Sequence, residues 1–305
     1  MNHQRSQREP YHEGERAVQS RAGVRDAAQR VAEMVRPSLS ENMQSFLSHQ
    51  PLAVATTVDH ESRVWISLLA GEPGFITAET ANRVRVDAAL ASGDPLAEHQ
   101  RESMQMGVLA IDPRNRSRLR VNGVAHPTDE GSFELNTREV YPNCPKYIQR
   151  RSLTHRDDRT TKQADVRWSR GLDDSHREWL RTADTFFIGS THPDCGADAS
   201  HRGGGPGFIQ VEGDTLVFPD YPGNKMFCTL GNLTVNPSVG LLFVDFETGR
   251  TFQLTGKAKI IWDGKRVREH DRAERLIEIT VSEAIEAPDG NPLRWELEER
   301  SPFNP

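Results

Sequence analysis

The sequence has few cysteines, no long apolar run and no excess of positive charge. Its three cysteines, Cys144, Cys195 and Cys228, are far apart and form no CxxC pair. This spacing gives no disulfide framework and no zinc cluster, and it is typical of a reducing cytoplasm. No stretch approaches the ~20 apolar residues that span a bilayer, and the polar start, residues 1–8, lacks the apolar segment of a secretory signal. We therefore expect a cytoplasmic protein with no membrane partner.

The charge balance excludes one further class of protein. A formal net charge of -6 and a mean hydropathy of -0.66 describe a polar, mildly acidic chain. Dedicated nucleic-acid binders are usually basic, so we expect no nucleic-acid partner. A local basic pocket for a phosphate group remains compatible with this charge. The 305 residues are enough for two domains that each bury a core.

The sequence contains an internal repeat. Three blocks recur at one offset of 133 residues: 67–75 with 200–208, 107–112 with 240–245, and 121–125 with 254–258. A repeat of this kind predicts two copies of one domain. The copies differ at chemically active residues, because His201 and Arg202 stand where the first copy has Leu68 and Leu69. We therefore expect the second copy to hold a ligand.

Short strands separated by turns predict a mainly β fold with some helix, organised as small antiparallel barrels. A charged helix is expected from Glu15 to Val35, ended by Pro37. The predicted divisions are an N-terminal helical arm (1–45), a degenerate barrel (46–141), a charged helical linker (142–183), and a ligand-binding barrel with a C-terminal tail (184–305).

Two segments of the second copy carry candidate chemistry. The run 200–208 joins His201 and Arg202 to four glycines, which leave backbone amides open to a flat or phosphorylated ligand. Its Pro-Gly-Phe part also has a purely structural reading as a tight bend. Asn224 and Lys225 follow a Pro/Gly turn at the start of a helix predicted from Met226 to Val235, where amides and a lysine suit a phosphate. The alternative is an ordinary capped helix with a surface lysine.

These segments, followed by 229–233, 236–237, 240–243 and 254–258, resemble the predicted flavin-nucleotide-binding proteins related to pyridoxamine 5'-phosphate oxidase, in a tandem-barrel form. The first copy resembles the same family more weakly, as do residues 11–19 and 143–148. The resemblance implies two tandem FMN-binding split β-barrels with peripheral helices. The family's flavin usually lies at a subunit interface.

Carried over by position, the resemblance implies a set of FMN-binding residues. Asn224 and Lys225 match the residues that hold the flavin phosphate, and Thr229 and Asn232 match the helix that lines the pocket. The segment beside the flavin matches Ser200, His201, Arg202, Gly203 and Gly204, of which His201 and Arg202 are the catalytic candidates. Lys146 is a further candidate to reach the flavin, or else marks a helix start after Pro145. No metal site is expected, because His192 and His201 have no carboxylate neighbour at a usual ligand spacing.

The resulting hypothesis is an FMN-dependent oxidoreductase that acts on an unidentified small molecule. It is not pyridoxamine 5'-phosphate oxidase itself, because that enzyme's basic strand motif and its arginine- and histidine-bearing substrate end are not evident. Two alternatives stay open: a non-catalytic flavin or haem carrier, and a deazaflavin-dependent reductase on the same barrel. The expected partners are a separate NAD(P)H-dependent reductase and a second subunit in a homodimer, with Trp295 as a plausible interface contact. Mutual covering of the two copies within one chain is the rival to the dimer.

Overall fold

The computed structural model describes residues 10–88, 90, 93–98, 102–128, 132–157 and 166–305. The chain begins with three short helices, α1 (Glu13–Arg21), α2 (Arg25–Ala32) and α3 (Glu41–Ser48). The single helix expected from Glu15 to Val35 is wrong. Gly23 adopts a left-handed φ of 69° and breaks it into α1 and α2. Residues 1–9 of the predicted arm lie outside the described residues.

The first half forms one antiparallel sheet of seven strands in the order β2-β1-β5-β6-β7-β4-β3. Its elements are β1 (Leu52–Val58), β2 (Val64–Ala70), β3 (Ile76–Thr80), β4 (Arg83–Val86), α4 (Pro95–Glu98), β5 (Met104–Asp112), β6 (Ser117–Pro127) and β7 (Phe133–Pro142). The apolar, β-branched composition of β1 and β2 suits their burial, which includes every residue of the two strands except the half-buried Val58.

The second half repeats this arrangement in the order β11-β10-β14-β15-β16-β13-β12. Its elements are β8 (Arg150–Arg156), β9 (Arg167–Ser169), α5 (Asp174–Thr182), β10 (Thr185–His192), β11 (Gly196–Gly203), β12 (Gln210–Glu212), β13 (Thr215–Asp220), α6 (Cys228–Val235), β14 (Ser238–Val244), β15 (Thr251–Ile261), α7 (Lys265–Arg268), β16 (Arg275–Ala287) and β17 (Leu293–Glu299). Strand β9 adds to β16, and β17 pairs with β8. Each β1–β7 strand therefore has a counterpart in the second sheet, which confirms the predicted class of two tandem split barrels.

The two barrels also have a β-bulge at equivalent positions. Strands β6 and β7 shift register between Asn122 and Gly123, and β15 and β16 shift between Thr255 and Gly256, 133 residues later. A Cβ on Gly123 would lie 1.9 Å from the carbonyl oxygen of Asn136, and one on Gly256 would lie 2.2 Å from that of Thr280. Both strands therefore need glycine at the bulge.

The two barrels cover each other within one chain. Each has its own core, and a third apolar cluster lies between them, with Leu52 and Val54 from the first barrel and Phe187 and Leu242 from the second. The contact has approximate two-fold symmetry. A Cβ on Gly107 would lie 2.3 Å from the Ala197 oxygen, and one on Gly240 would lie 2.8 Å from the Val64 oxygen. These pairs are related by the same offset, so the repeated glycines mark the barrel–barrel contact. The homodimer stays a prediction.

Two expectations about the remaining segments need correction. Trp295, expected at a contact with a second subunit, is 1% exposed and packs in the cluster between the barrels. The segment 142–183, expected to be a helical linker, contains β8, β9 and, within its described residues, α5 as its one helix. Strand β8 forms because the distant β17 pairs with it, which the local charge pattern does not reveal. Residues 158–165 lie outside the described residues. Every helix of the described residues is too short or too polar to cross a bilayer.

Candidate functional site

A cavity of about 110 Å³ lies where the two barrels meet. The first half contributes β5, β6 and the segment after β7. The second half contributes β11, the end of β13, and the segment 223–230 that leads into α6. Eight of the ten residues predicted to hold the cofactor line the cavity: Ser200, His201, Arg202, Gly203, Asn224, Lys225, Thr229 and Lys146. The expected ligand-bearing copy therefore supplies only part of the wall.

Two predicted residues lie elsewhere. The side-chain amide of Asn232 donates to Asp198 Oδ2 at 2.8 Å and to Ser190 Oγ at 3.1 Å, behind the cavity wall. Gly204 packs against the Phe208 ring, which a Cβ would meet at 2.5 Å. Both residues support the wall without lining it.

The wall carries an excess of positive charge. Its cationic side chains are Arg118 and Arg120 from β6, Lys146, Arg202 from β11, and Lys225, whereas Asp220 is the one carboxylate among the described lining residues. Asp220 is shared by two arginines, since Arg202 Nη1 lies 3.1 Å from Oδ1 and Arg275 Nη1 lies 3.1 Å from Oδ2. A wall of this composition favours an anionic ligand.

His201 sits in the wall without a polar partner. The residue is 6% exposed, and among the described residues neither ring nitrogen has a hydrogen-bond partner. The ring meets Phe187 edge-on, with 5.7 Å between ring centroids. Burial, followed by the charges of Arg118, Arg151 and Arg202, holds the pKa of His201 well below its usual value. The neutral ring therefore offers one donor and one acceptor at pH 7.

Two arginines also have unused donors. Arg118 Nη2 donates to the Cys144 carbonyl oxygen at 2.6 Å, while the Nε groups of Arg118 and Arg202 are buried without a partner among the described residues. Burial lowers the pKa of Arg118 to about 10, so its guanidinium stays charged at neutral pH. Buried N–H groups are normally paired, so these donors indicate a missing acceptor.

Arg120 joins the two barrels. It donates to Tyr141 and Ser200, and its Nη1 lies 3.1 Å from Asp198 Oδ1. Ser200 also bonds Thr229 at 3.0 Å. These hydroxyls fix the wall of the cavity through a network that crosses the barrel interface.

Asn224 and Lys225 do not start a helix, which corrects the predicted helix start at Met226. Lys225 and Phe227 have φ values of 68° and 62°, and α6 begins only at Cys228. The left-handed residues turn the chain before the helix. Asn224 and Lys225 therefore precede the helix and do not lie at its N-terminal amides. Lys225 Nζ lies 3.1 Å from Glu274 Oε1, and its side chain is 30% exposed.

Buried acids lie behind the cavity. Asp198 of β11 and Glu139 of β7 lie near the positive charge of Arg120, and Glu15 of α1 lies near the charges of Asp198 and Glu139. Burial, followed by the charge of Asp198, raises the pKa of Glu15 to about 8. Burial also raises the pKa of the Cys228 thiol, which lines the cavity. This thiol is therefore neutral and a poor nucleophile.

A separate group brings His12, Glu13 and His192 together, which sequence reasoning missed. His192 Nε2 lies 2.9 Å from Glu13 Oε1. Its Nδ1 accepts from the amides of Asp194 and Cys195, and His12 Nδ1 accepts from that of Gly14. Each Nε2 must then carry the ring proton. Histidine ligands normally donate a proton from the nitrogen that faces away from the metal, so this arrangement does not suit a metal ion.

Sequence reasoning also missed Arg118, Arg120 and Tyr147. The repeat contains the signal for the two arginines, because the second copy has Thr251 and Gln253 at the equivalent positions. Tyr147 pairs with Tyr221 at the cavity, with 5.4 Å between ring centroids. No comparable signal marks Tyr147, since it lies outside the repeated blocks.

Comparison with known proteins finds one family match, and it lies in the second barrel. Residues 172–299 match the family model described as pyridoxamine 5'-phosphate oxidase. No curated protein matches the chain by sequence.

Solved structures give weaker similarities. HupZ of Group A Streptococcus is 13% identical with a TM-score of 0.33, over 40% of this chain and 98% of that chain. An FAD-binding protein of Mycobacterium smegmatis is 16% identical with a TM-score of 0.27, over 39% and 96%. Scores this low carry no weight of their own, so the assignment rests on the sequence match. The second barrel is therefore similar to the pyridoxamine 5'-phosphate oxidase family, and this match covers residues 172–299.

Proposed function

We propose that the cavity between the barrels binds a flavin, specifically FMN, and that the protein is an FMN-dependent oxidoreductase. The observation that carries the proposal is a cationic wall whose buried N–H donors, on Arg118, Arg202 and His201, lack acceptors among the described residues. A buried donor without a partner costs about 1–3 kcal/mol. A flat, polar, negatively charged ligand that supplies acceptors therefore fits this wall.

Each wall residue has a proposed role in holding the ligand. Lys225, with Asn224, neutralises the phosphate, and Arg118 and Lys146 add positive charge to the same cavity. The neutral His201 ring and the Arg202 guanidinium lie next to each other on β11 and orient the polar edge of the ring system. The barrel interface buries His201, which is 6% exposed, whereas the Arg202 side chain is 22% exposed. A bound flavin supplies the hydride or electron transfer.

The substrate is a small molecule whose identity stays open. We do not propose vitamin B6 oxidation, because the basic strand motif and the substrate-binding end of that enzyme are not evident in this sequence. A deazaflavin-dependent reductase is tested by the same binding experiment.

A non-catalytic flavin or haem carrier is the second candidate, and one observation favours it. Within the described lining, the pKa of His201 lies well below 7, that of Tyr221 is raised to about 12 by burial, and that of Cys228 is raised further above neutrality. These side chains do not exchange a proton readily at pH 7. A catalyst that needs protein acid–base groups would have to use others.

The ultraviolet-visible spectrum of the purified protein, followed by titration with FMN, FAD, deazaflavin cofactor and haem, tests the proposal. We expect flavin bands and the tightest binding for FMN. Tighter binding of the deazaflavin cofactor or haem would overturn the cofactor assignment. Reduction of the bound flavin followed by oxidation with candidate acceptors then separates an enzyme from a carrier.

We propose a separate NAD(P)H-dependent reductase as electron donor. Anaerobic addition of NAD(P)H alone should leave the bound flavin oxidised, and rapid bleaching would show that no separate reductase is needed. The homodimer is tested by size-exclusion chromatography with light scattering. A mass near the 34.3 kDa of one chain, with FMN bound, would show that the internal barrel contact suffices.

A further inference from the structure

The segment that carries Lys225 to the cavity has a strained backbone. Lys225 and Phe227 both adopt positive φ values, of 68° and 62°, although neither is glycine. L-residues with side chains rarely occupy this region, and they persist there only where surrounding contacts impose it. The contacts of Met226, the residue between them, therefore bear on the direction of Lys225, whose amine also pairs with Glu274.

Several of those contacts come from the N-terminal arm, defined here as residues 10–36, and others come from Asn224 and Tyr141. Gln19 of α1, 1% exposed, donates from Nε2 to the Met226 carbonyl oxygen at 3.0 Å. The Met226 side chain is 2% exposed and packs among Tyr11, Ala28 and Ala32 of the arm. The arm therefore holds both the backbone and the side chain of Met226.

The arm is itself fixed to the helix that follows the strained segment. A Cβ on Gly14 of α1 would lie 2.3 Å from the Gly231 carbonyl oxygen of α6, and one on Gly231 would lie 2.6 Å from the Glu15 nitrogen. His12 Nε2 also bonds Asn232 Oδ1 at 3.0 Å. Helix α1 thus bridges α6 and the segment before it, and holds them in one arrangement.

We propose that the N-terminal arm completes the ligand site by positioning Lys225, and that Gln19 is the positioning residue, an inference that rests on the proposed binding of a phosphorylated ligand. Gln19 is not in the cavity wall, so its effect passes through Met226. The role therefore concerns the phosphate end of the ligand, where Lys225 acts, and not its ring system.

Gln19→Ala tests this role, with Ser20→Ala, the next and exposed residue of α1, as matched control. We expect Gln19→Ala to weaken FMN by ~10-fold, the loss of about one hydrogen bond, and to leave riboflavin, which lacks the phosphate, unchanged. In a Lys225→Ala background, Gln19→Ala should have no further effect on FMN. Equal loss for FMN and riboflavin, or additive effects of the two substitutions, would overturn the positioning role.

A second measurement needs no flavin. Amide hydrogen exchange of residues 224–227 should be faster in Gln19→Ala than in the parent and unchanged in Ser20→Ala. Tyr11→Phe, which removes the Tyr11 hydroxyl bond to the Ala28 carbonyl oxygen at 2.8 Å, should act in the same direction and covers the case in which Gln19→Ala does not fold. Unchanged exchange in both variants would refute the inference. If the parent binds no flavin, the proposed function fails, while exchange still decides whether the arm holds the segment.

Discussion

The two barrels meet at two joints related by the repeat, and only one of them forms the candidate site. At the first joint, Arg120 of the first barrel reaches Ser200 of the second. At the second joint, the equivalent Gln253 reaches Ser67, with Nε2 3.3 Å from Oγ. The contact that joins the barrels is therefore kept at both joints. The two joints differ in the side chains that surround this contact.

The second joint is closed by apolar side chains and a buried acid. Leu68 and Leu69 occupy the positions of His201 and Arg202 and are 7% and 0% exposed. Asp94 accepts from Ser67 Oγ at 2.6 Å and from Gln253 Nε2 at 3.1 Å. The comparison teaches that the fold supplies two equivalent joints, and that a cationic wall, with donors unpaired among the described residues, distinguishes the one that forms the candidate site.

The sharpest test copies the second joint onto the first. The double variant His201→Leu/Arg202→Leu should lower FMN affinity by about 3–5 kcal/mol, because it removes a charged hydrogen-bond donor and the imidazole and places apolar side chains against a polar ligand. Flavin fluorescence titration measures the affinity, and thermal unfolding checks the fold. Arg202→Lys keeps the charge beside Asp220 and should lose much less. FMN affinity retained by the double variant would rule out the proposed site.

The sequence predicted much of this joint, for a physical reason. Two copies of one fold share structural requirements, so His201, Arg202 and Lys225, which differ from their counterparts in the first copy, are predicted to carry chemistry, whereas Ser200 matches Ser67. Arg118 and Arg120 show the same kind of difference in the opposite direction, because they lie in the first copy and the second copy has Thr251 and Gln253 at their positions. The left-handed φ values of Lys225 and Phe227 cannot be predicted from the sequence, because local propensity favours glycine there and the contacts around this segment come largely from distant residues. The contact between barrels is equally non-local.

The next test removes the positive charge of Lys225, which has no counterpart at the second joint. Lys225→Ala should weaken FMN by about 1.5–3 kcal/mol, the scale of a charge-assisted hydrogen bond. The Lys225 amine is already paired with Glu274, which favours the lower half of this range. Isothermal titration with FMN and riboflavin separates the phosphate contribution. An unchanged FMN dissociation constant would remove Lys225 from the site.

A pH test probes the acids behind the first joint. The pKa of Glu15 is raised from 4.5 to about 8, first by burial and then by Asp198. Between these values the folded state holds a proton that the unfolded state has lost. The free energy of unfolding should therefore fall as pH rises through this window, by at most about 1.4 kcal/mol per pH unit. Urea unfolding at several pH values measures the slope.

Glu15→Gln should flatten that slope, so that the free energy of unfolding falls less between pH 4.5 and about pH 8. Glu139, whose pKa is also raised by burial, leaves a residual slope. Glu178→Gln, at an exposed position of α5, serves as control and should leave the slope unchanged. A Glu15→Gln slope identical to that of the parent would show that Glu15 does not hold the proton.

The smallest effect is expected at the second joint. Gln253→Ala removes the donor to Asp94, to Ser67 and to the Ile66 carbonyl oxygen at 3.0 Å, so the free energy of unfolding should fall by about 1 kcal/mol. FMN affinity should not change, because the first joint keeps Arg120 and its partners. Denaturant unfolding and FMN titration of this variant, alongside Arg120→Ala, measure both quantities. We expect one FMN per chain and a loss of affinity only in Arg120→Ala. A loss of affinity in Gln253→Ala comparable with that of Lys225→Ala, or two FMN per chain, would show that the second joint also takes part in binding, and that Leu68 and Leu69 do not close it.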